Sequence, residues 1–256
     1  MHFDRDISPR QPNWLDNLLR PHDDFFKEAE KYDRWDVLFG LILAIVSKII
    51  LSIMAAPSMY DVMVETELDI FVAYSIALFV PTILISSVLL ISKVRGRKIV
   101  RNGMRKDMVV KSILVGIILA MFHLFILRLG IFSVANITLR ENLSFVSIAI
   151  SVVHLLIFTA FMERLFNGAY IGLAFFNTFK SKGFSIVVAG AVFSAMHVPA
   201  RMFAHDTSYL TTLLTPMFGD ILIHGLFFWL YAKYNNIFGP VLYHFIINFA
   251  WWLLVW

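Results

Sequence analysis

The chain has 256 residues, of which 59% are hydrophobic, 15% aromatic and only 16% charged, where an average soluble domain carries about 25% charged residues. A soluble core of this size cannot hide so many apolar side chains, so lipid is the expected solvent for much of the outside. There is no cysteine, which excludes disulfides, thiolate nucleophiles and cysteine-ligated zinc, and the net charge of +4 informs through its distribution.

Met1 to Trp35 is polar and of mixed charge, without the apolar core of a signal peptide. Within it, Asp23 to Tyr32 reads either as a short interfacial helix with Phe25 and Phe26 toward lipid or as a solvated tail. Seven apolar stretches near the length of a bilayer crossing follow. They run over Val37–Ala56, Leu68–Ile91, Val109–Val134, Phe145–Phe166, Phe184–Pro199, Leu210–Tyr231 and Phe238–Trp256. The fifth is short for a full crossing. Between the fourth and fifth, "GAYIGLAFFNTF" is apolar enough to form a half-buried interfacial helix. No Gly/Ser linker and no internal repeat interrupts the chain. The simplest division is a cytoplasmic or interfacial segment, 1–35, and one integral domain, 36–256. The expected fold is all-α, a polytopic membrane bundle of about seven transmembrane helices.

Connecting loops set the orientation by their Lys and Arg content. "KVRGRKIVRNGMRKDMVVK", Lys93 to Lys111, holds eight basic residues and one acid, Asp107. The loop after the first span has Asp61, Glu65, Glu67 and Asp69 and no base. Lys180 and Lys182 follow the fourth span, and Lys233 the sixth. These agree on a multi-pass protein of the cell membrane with its N-terminus cytoplasmic and its C-terminus outside. The basic loop reads as a positive-inside anchor on anionic lipid, not as a nucleic-acid patch.

Ionisable groups within spans cost about 2.5–3.5 kcal/mol each on insertion scales, so each needs a reason. Lys48 and Arg128 have stems long enough to snorkel. His123 and His154 read as structural imidazoles. Asp220 and His224, four apart, fit an internal pair on one helical face. Three short patterns remain: "MERLFN" with Glu163 at the end of the fourth span, "FSAMH" with Phe193 and His197, and "HFIIN" with His244 and Asn248. A spacing of four puts both members of a pair on one face, one turn apart. One carboxylate, two imidazoles and one amide around a cavity have the composition of a hydrolase site without a side-chain nucleophile. The acid and one imidazole take a proton from water, and the second imidazole and the amide donate to an oxyanion.

In this order on late spans, the three patterns resemble the CPBP family of CAAX proteases and bacteriocin-processing enzymes, also called Abi. The family pattern is Glu-Glu-x-x-x-Arg, then Phe-x-x-x-His, then His-x-x-x-Asn or Asp. The resemblance covers about residues 145 to 256, and "GPVLYHFIINF" looks like the family's usual approach to its last motif. The second and third patterns fit in full. The first departs: aligned on Gly168, Met162 stands for the leading glutamate, Glu163 for the second and Asn167 for the arginine. Neighbouring helical positions differ by about 100°, so Glu163 replaces position 162 only if the helix rotates. Arg164 either neutralises Glu163 from beside it or reaches the headgroups.

The resemblance implies an intramembrane endopeptidase that cleaves a membrane-associated peptide or protein, with Glu163, His197, His244 and Asn248 as catalytic residues. Membrane lipids are its other expected partners, and nucleic acid is not one. No cofactor is expected. By residue type His197, His244 and Glu163 also suit zinc, but the close ligand pair of His-Glu-x-x-His is missing, so the metal-free version ranks first. The altered first motif supports an alternative: an inactive, CPBP-like membrane scaffold, immunity factor or binding partner.

Overall fold

The computed structural model describes residues 20–54, 69–97, 103–104, 106–131, 138–140, 143–179, 181–205 and 209–255. The described residues are almost wholly helical. A short helix α1 (Asp23–Ala29) precedes seven long ones: α2 (Arg34–Met54), α3 (Asp69–Val94), α4 (Val109–Ile131), α5 (Phe145–Phe179), α6 (Lys182–His205), α7 (Tyr209–Tyr234) and α8 (Phe238–Leu253). Two residues on each side, Thr138–Leu139 (β1) and Leu254–Val255 (β2), pair antiparallel. The fold is all-α.

α4 over Val109–Ile126 and α5 are each long and apolar enough to cross a membrane. Large apolar side chains such as Ile42, Ile118, Phe125, Phe145 and Leu222 point outward. An apolar surface of that extent suits hydrocarbon rather than water.

Two features differ from the sequence reading. The fourth span does not give way to a separate interfacial helix. "GAYIGLAFFNTF" continues α5, and Ala169 to Phe175 are buried against α2, α6 and α7. Phe25 does not face lipid either. It is 0% exposed and meets Phe176, Phe228 and Tyr231 edge to face. The reason is the tether of α1: the His22 N–H donates to the Ala232 carbonyl (2.8 Å), which lays the helix across the end of α7. Residues 98–102 of the basic loop and 55–68 of the acidic loop, both read as setting the orientation, lie outside the described residues.

α2 starts with a capping box. The Asp33 carboxylate accepts from the N–H groups of Trp35 (2.9 Å) and Asp36 (3.3 Å), and the Asp36 carboxylate accepts from the Asp33 N–H (2.9 Å). Burial opposes ionisation of Asp33, but the two backbone N–H donors and the Arg95 guanidinium outweigh it and hold its carboxyl below the ordinary value. Asp36 also accepts from Arg95 Nε (2.6 Å), Arg97 Nη2 (2.9 Å) and the Tyr170 hydroxyl (3.4 Å). Two bases of the Lys93–Lys111 stretch are thus spent inside the protein. They join the start of α2, the end of α3 and the middle of α5. The Asp36 side chain is fully buried, and removing one member of a buried ionic group leaves its partners uncompensated. Asp36→Asn should therefore destabilise the protein by about 3 kcal/mol, toward the low end because both arginines retain some contact with solvent. Thermal unfolding in detergent would register this as a lower Tm, and an unchanged Tm would deny the network that role.

Candidate active site

The four candidate residues come from three helices: Glu163 from α5, His197 from α6, and His244 and Asn248 from α8. Small residues set α8 in place. A Cβ on Gly116 of α4 would stand 2.4 Å from the Gly239 carbonyl oxygen, so the two backbones touch where only hydrogen fits. The Ser112 hydroxyl accepts from the Gly239 N–H (3.1 Å) at the same crossing. Five residues on, His244 faces inward.

The structure brings the four groups together. Glu163 Oε1 lies 3.8 Å from His197 Nε2, and Glu163 Oε2 lies 3.8 Å from His244 Nε2. The Asn248 amide contacts His244 Nε2 at 2.9 Å. All four line one cavity of about 460 Å³, with Phe193, Phe227 and Trp251 among its walls. Glu163 is 22% exposed, so it opens on this cavity and is not sealed in packing.

Hydrogen-bond bookkeeping fixes the proton on His197. Its Nδ1 lies 2.8 Å from the Phe193 carbonyl. A carbonyl only accepts, so Nδ1 carries a hydrogen, and in the neutral imidazole Nε2 then holds the lone pair. The motif's spacing of four is what sets the imidazole over the carbonyl one turn back. Nε2 and Glu163 Oε1 are then two acceptors facing each other across 3.8 Å. Acceptors cannot bond one another, and the gap is too long for a shared proton; it suits a water that donates to both.

The rotation that Glu163 needed has a visible source. Within α5, His154–Phe161 and Arg164–Gly172 are π-helical. Bonds from i to i+5 close each turn with an extra residue, so a π stretch makes the following residues lag by about one position. Seen from Phe145, Glu163 takes the bearing that residue 162 would have in an uninterrupted α-helix. Met162 turns instead to the hydrophobic core. Asn167, which stands for the family's arginine, is buried beside Arg164 at the edge of a small void.

Arg164 does not reach the headgroups. It is 2% exposed, with Nη2 3.6 Å from Glu163 Oε2. Its guanidinium lies over the rings of Phe193 (5.0 Å) and Phe227 (4.2 Å) and donates through Nη1 to His224 (3.2 Å). Arginine has no acceptor, so His224 receives this bond as a neutral imidazole. Sequence reasoning missed this partnership. Its one signal was the Glu163–Arg164 pair in an apolar helix; His224 was read with Asp220 on its own helix, and nothing local ties it to Arg164, sixty residues away.

The other ionisable groups divide. His123 meets the Tyr243 hydroxyl at 3.1 Å and also lines the cavity. Asp220 lines it too and accepts from the Ser194 hydroxyl (3.0 Å). His154 lies in the first π stretch, half-buried. The side chains of Lys48 and Arg128 lie outside the described residues. Among the described residues, no three His, Asp or Glu side chains are grouped to hold a metal ion.

An acid lies between two imidazoles, with an amide beside one of them, inside an apolar helix bundle, the composition read from the sequence as that of a hydrolase site without a side-chain nucleophile. Residues 142–250 match a family model described as type II CAAX prenyl endopeptidase, Rce1-like. This C-terminal part of the chain is similar to the CAAX protease family that its motifs resemble, and that family implies a membrane-associated protein or peptide as substrate. No curated protein and no solved structure matches the chain.

Proposed function

We propose that the protein is an intramembrane endopeptidase that cleaves a membrane-associated peptide with activated water. The observation that carries the reading is the Glu163 carboxylate, 3.8 Å from an imidazole nitrogen on either side and open to a shared cavity. A water between Glu163 Oε1 and His197 Nε2 donates a hydrogen to each. One of them takes its proton as the oxygen attacks the scissile carbonyl carbon. The oxyanion forms on the side of Asn248 and His244. The Asn248 amide has two N–H groups, of which one serves His244 and the other the oxyanion. Collapse breaks the C–N bond, and the abstracted proton passes to the leaving amine. Glu163, His197, His244 and Asn248 are the catalytic residues of this proposal, and it needs no metal. The integral domain, residue 36 onward, crosses the cell membrane several times with its N-terminus cytoplasmic.

The test is a screen of membrane-anchored peptides against the full chain in detergent or nanodiscs. His197→Ala and His244→Ala should each slow cleavage by at least about 10²-fold, and a chelator should leave the rate within twofold. A scaffold remains the second reading, favoured by Met162 and Asn167 in the first motif. It predicts a partner bound equally well by both variants and no cleavage in the screen.

A further inference from the structure

The cavity extends past the groups that this reaction uses. Asp220, Ile223 and Phe227 recur at spacings of three and four on α7, and all three line it. Phe227 marks the catalytic end, with its ring 5.2 Å from that of His244. Asp220 stands seven residues away, about 10 Å of helix rise, where the Ser194 hydroxyl holds its Oδ2. Trp251, one turn past Asn248, belongs to the same wall.

Asp220 is an acid on the cavity wall that the proposed chemistry does not use. Among the described lining residues the acids are Glu163 and Asp220, and none is Lys or Arg; Arg164 sits behind Glu163, outside the wall. The Phe193 and Phe227 rings already face the Arg164 guanidinium, but Trp251 adds a further aromatic ring to the wall, of the kind that attracts cations, and the isoleucines Ile223 and Ile247 suit a methylene stem. We infer that this end of the cavity is a subsite for a long-stemmed cationic side chain, lysine or arginine, of the peptide substrate, with Asp220 as the residue that selects it. Length decides for these two: Asp220 lies two turns along α7 from Phe227, so a long stem suits it better than a short polar side chain. The inference rests on the endopeptidase reading for its ligand, but binding tests it separately from cleavage.

The experiment uses the full chain in nanodiscs of zwitterionic lipid, so that the bilayer itself does not attract cations. Three otherwise identical apolar peptides carry lysine, norleucine or glutamate at the central position, and the Kd of each is measured by titration. The lysine peptide should bind at least tenfold more tightly than the norleucine peptide. Asp220→Asn keeps the shape and the Ser194 contact, and should bring the two within about twofold. Asp220→Lys should turn the preference toward the glutamate peptide. Equal binding of lysine and norleucine peptides by the natural chain, or a tenfold preference that survives Asp220→Asn, overturns the subsite. Tight lysine-selective binding with no cleavage would count against the endopeptidase and leave the subsite standing. Cleavage without lysine selectivity would do the reverse.

Discussion

Glu163→Gln should abolish peptide cleavage, slowing it by at least about 10²-fold, and should make the protein less stable as well. Glutamine keeps the size and much of the hydrogen bonding of the glutamate but cannot take a proton. It also removes the negative charge 3.6 Å from Arg164, which is almost fully buried. Deleting one partner of a buried pair costs about 3–5 kcal/mol, because the surviving charge stays out of water. The low end applies here. Glu163 opens on the cavity, and the faces of Phe193 and Phe227 retain part of the attraction for the guanidinium. Adding Arg164→Met separates the two losses. Methionine fills most of the space with an apolar chain, so Glu163→Gln/Arg164→Met should regain much of the Tm and none of the rate. Unfolding in detergent and cleavage of one membrane-anchored peptide, run on all three proteins, decide it. Natural cleavage by the glutamine variant removes Glu163 from the chemistry. A double variant no more stable than the single one removes Arg164 as its buried counter-charge.

The long helices were legible because an apolar run of about 20 residues has few ways to satisfy its backbone in lipid. Their ends were less so. α5 continues to Phe179 because its last turns are covered by α1, α2 and α6, and no local residue announces that cover. Phe25 was misplaced for the same reason: the rings that receive it, Phe176, Phe228 and Tyr231, come from distant helices. In the candidate site, the spacing of four carried information that holds in three dimensions. It sets the His197 tautomer through the Phe193 carbonyl and joins Asn248 to His244. The bearing of Glu163 was not legible, since a switch from i+4 to i+5 bonding has no residue-type signature. The Arg164–His224 contact was hidden by sequence distance, although it answers why an apolar helix tolerates an arginine beside its glutamate.

Adding or removing one residue in His154–Phe161 tests whether the π stretch sets the bearing of Glu163. Ile157 is a suitable place, being 44% exposed on the outer face. Deleting it lets the stretch close as ordinary α-helix, with one residue fewer in the same turns. Glu163 then keeps its bearing, and cleavage should stay within about tenfold of the natural rate. Inserting an alanine after Ile157 should instead advance Glu163 by about 100°, away from both imidazoles, and cleavage should fall at least about 10²-fold. In that longer helix, residue 162 takes the bearing that Glu163 held. Exchanging the two side chains, Met162→Glu with Glu163→Met, should therefore recover at least tenfold of the lost rate in the insertion background. The same exchange in the natural chain should be inactive, because it turns the carboxylate into the core that Met162 fills. A deletion as damaging as the insertion, in proteins that remain folded by circular dichroism, would show that the i+5 bonding does not aim Glu163. An exchange that recovers nothing would show the same.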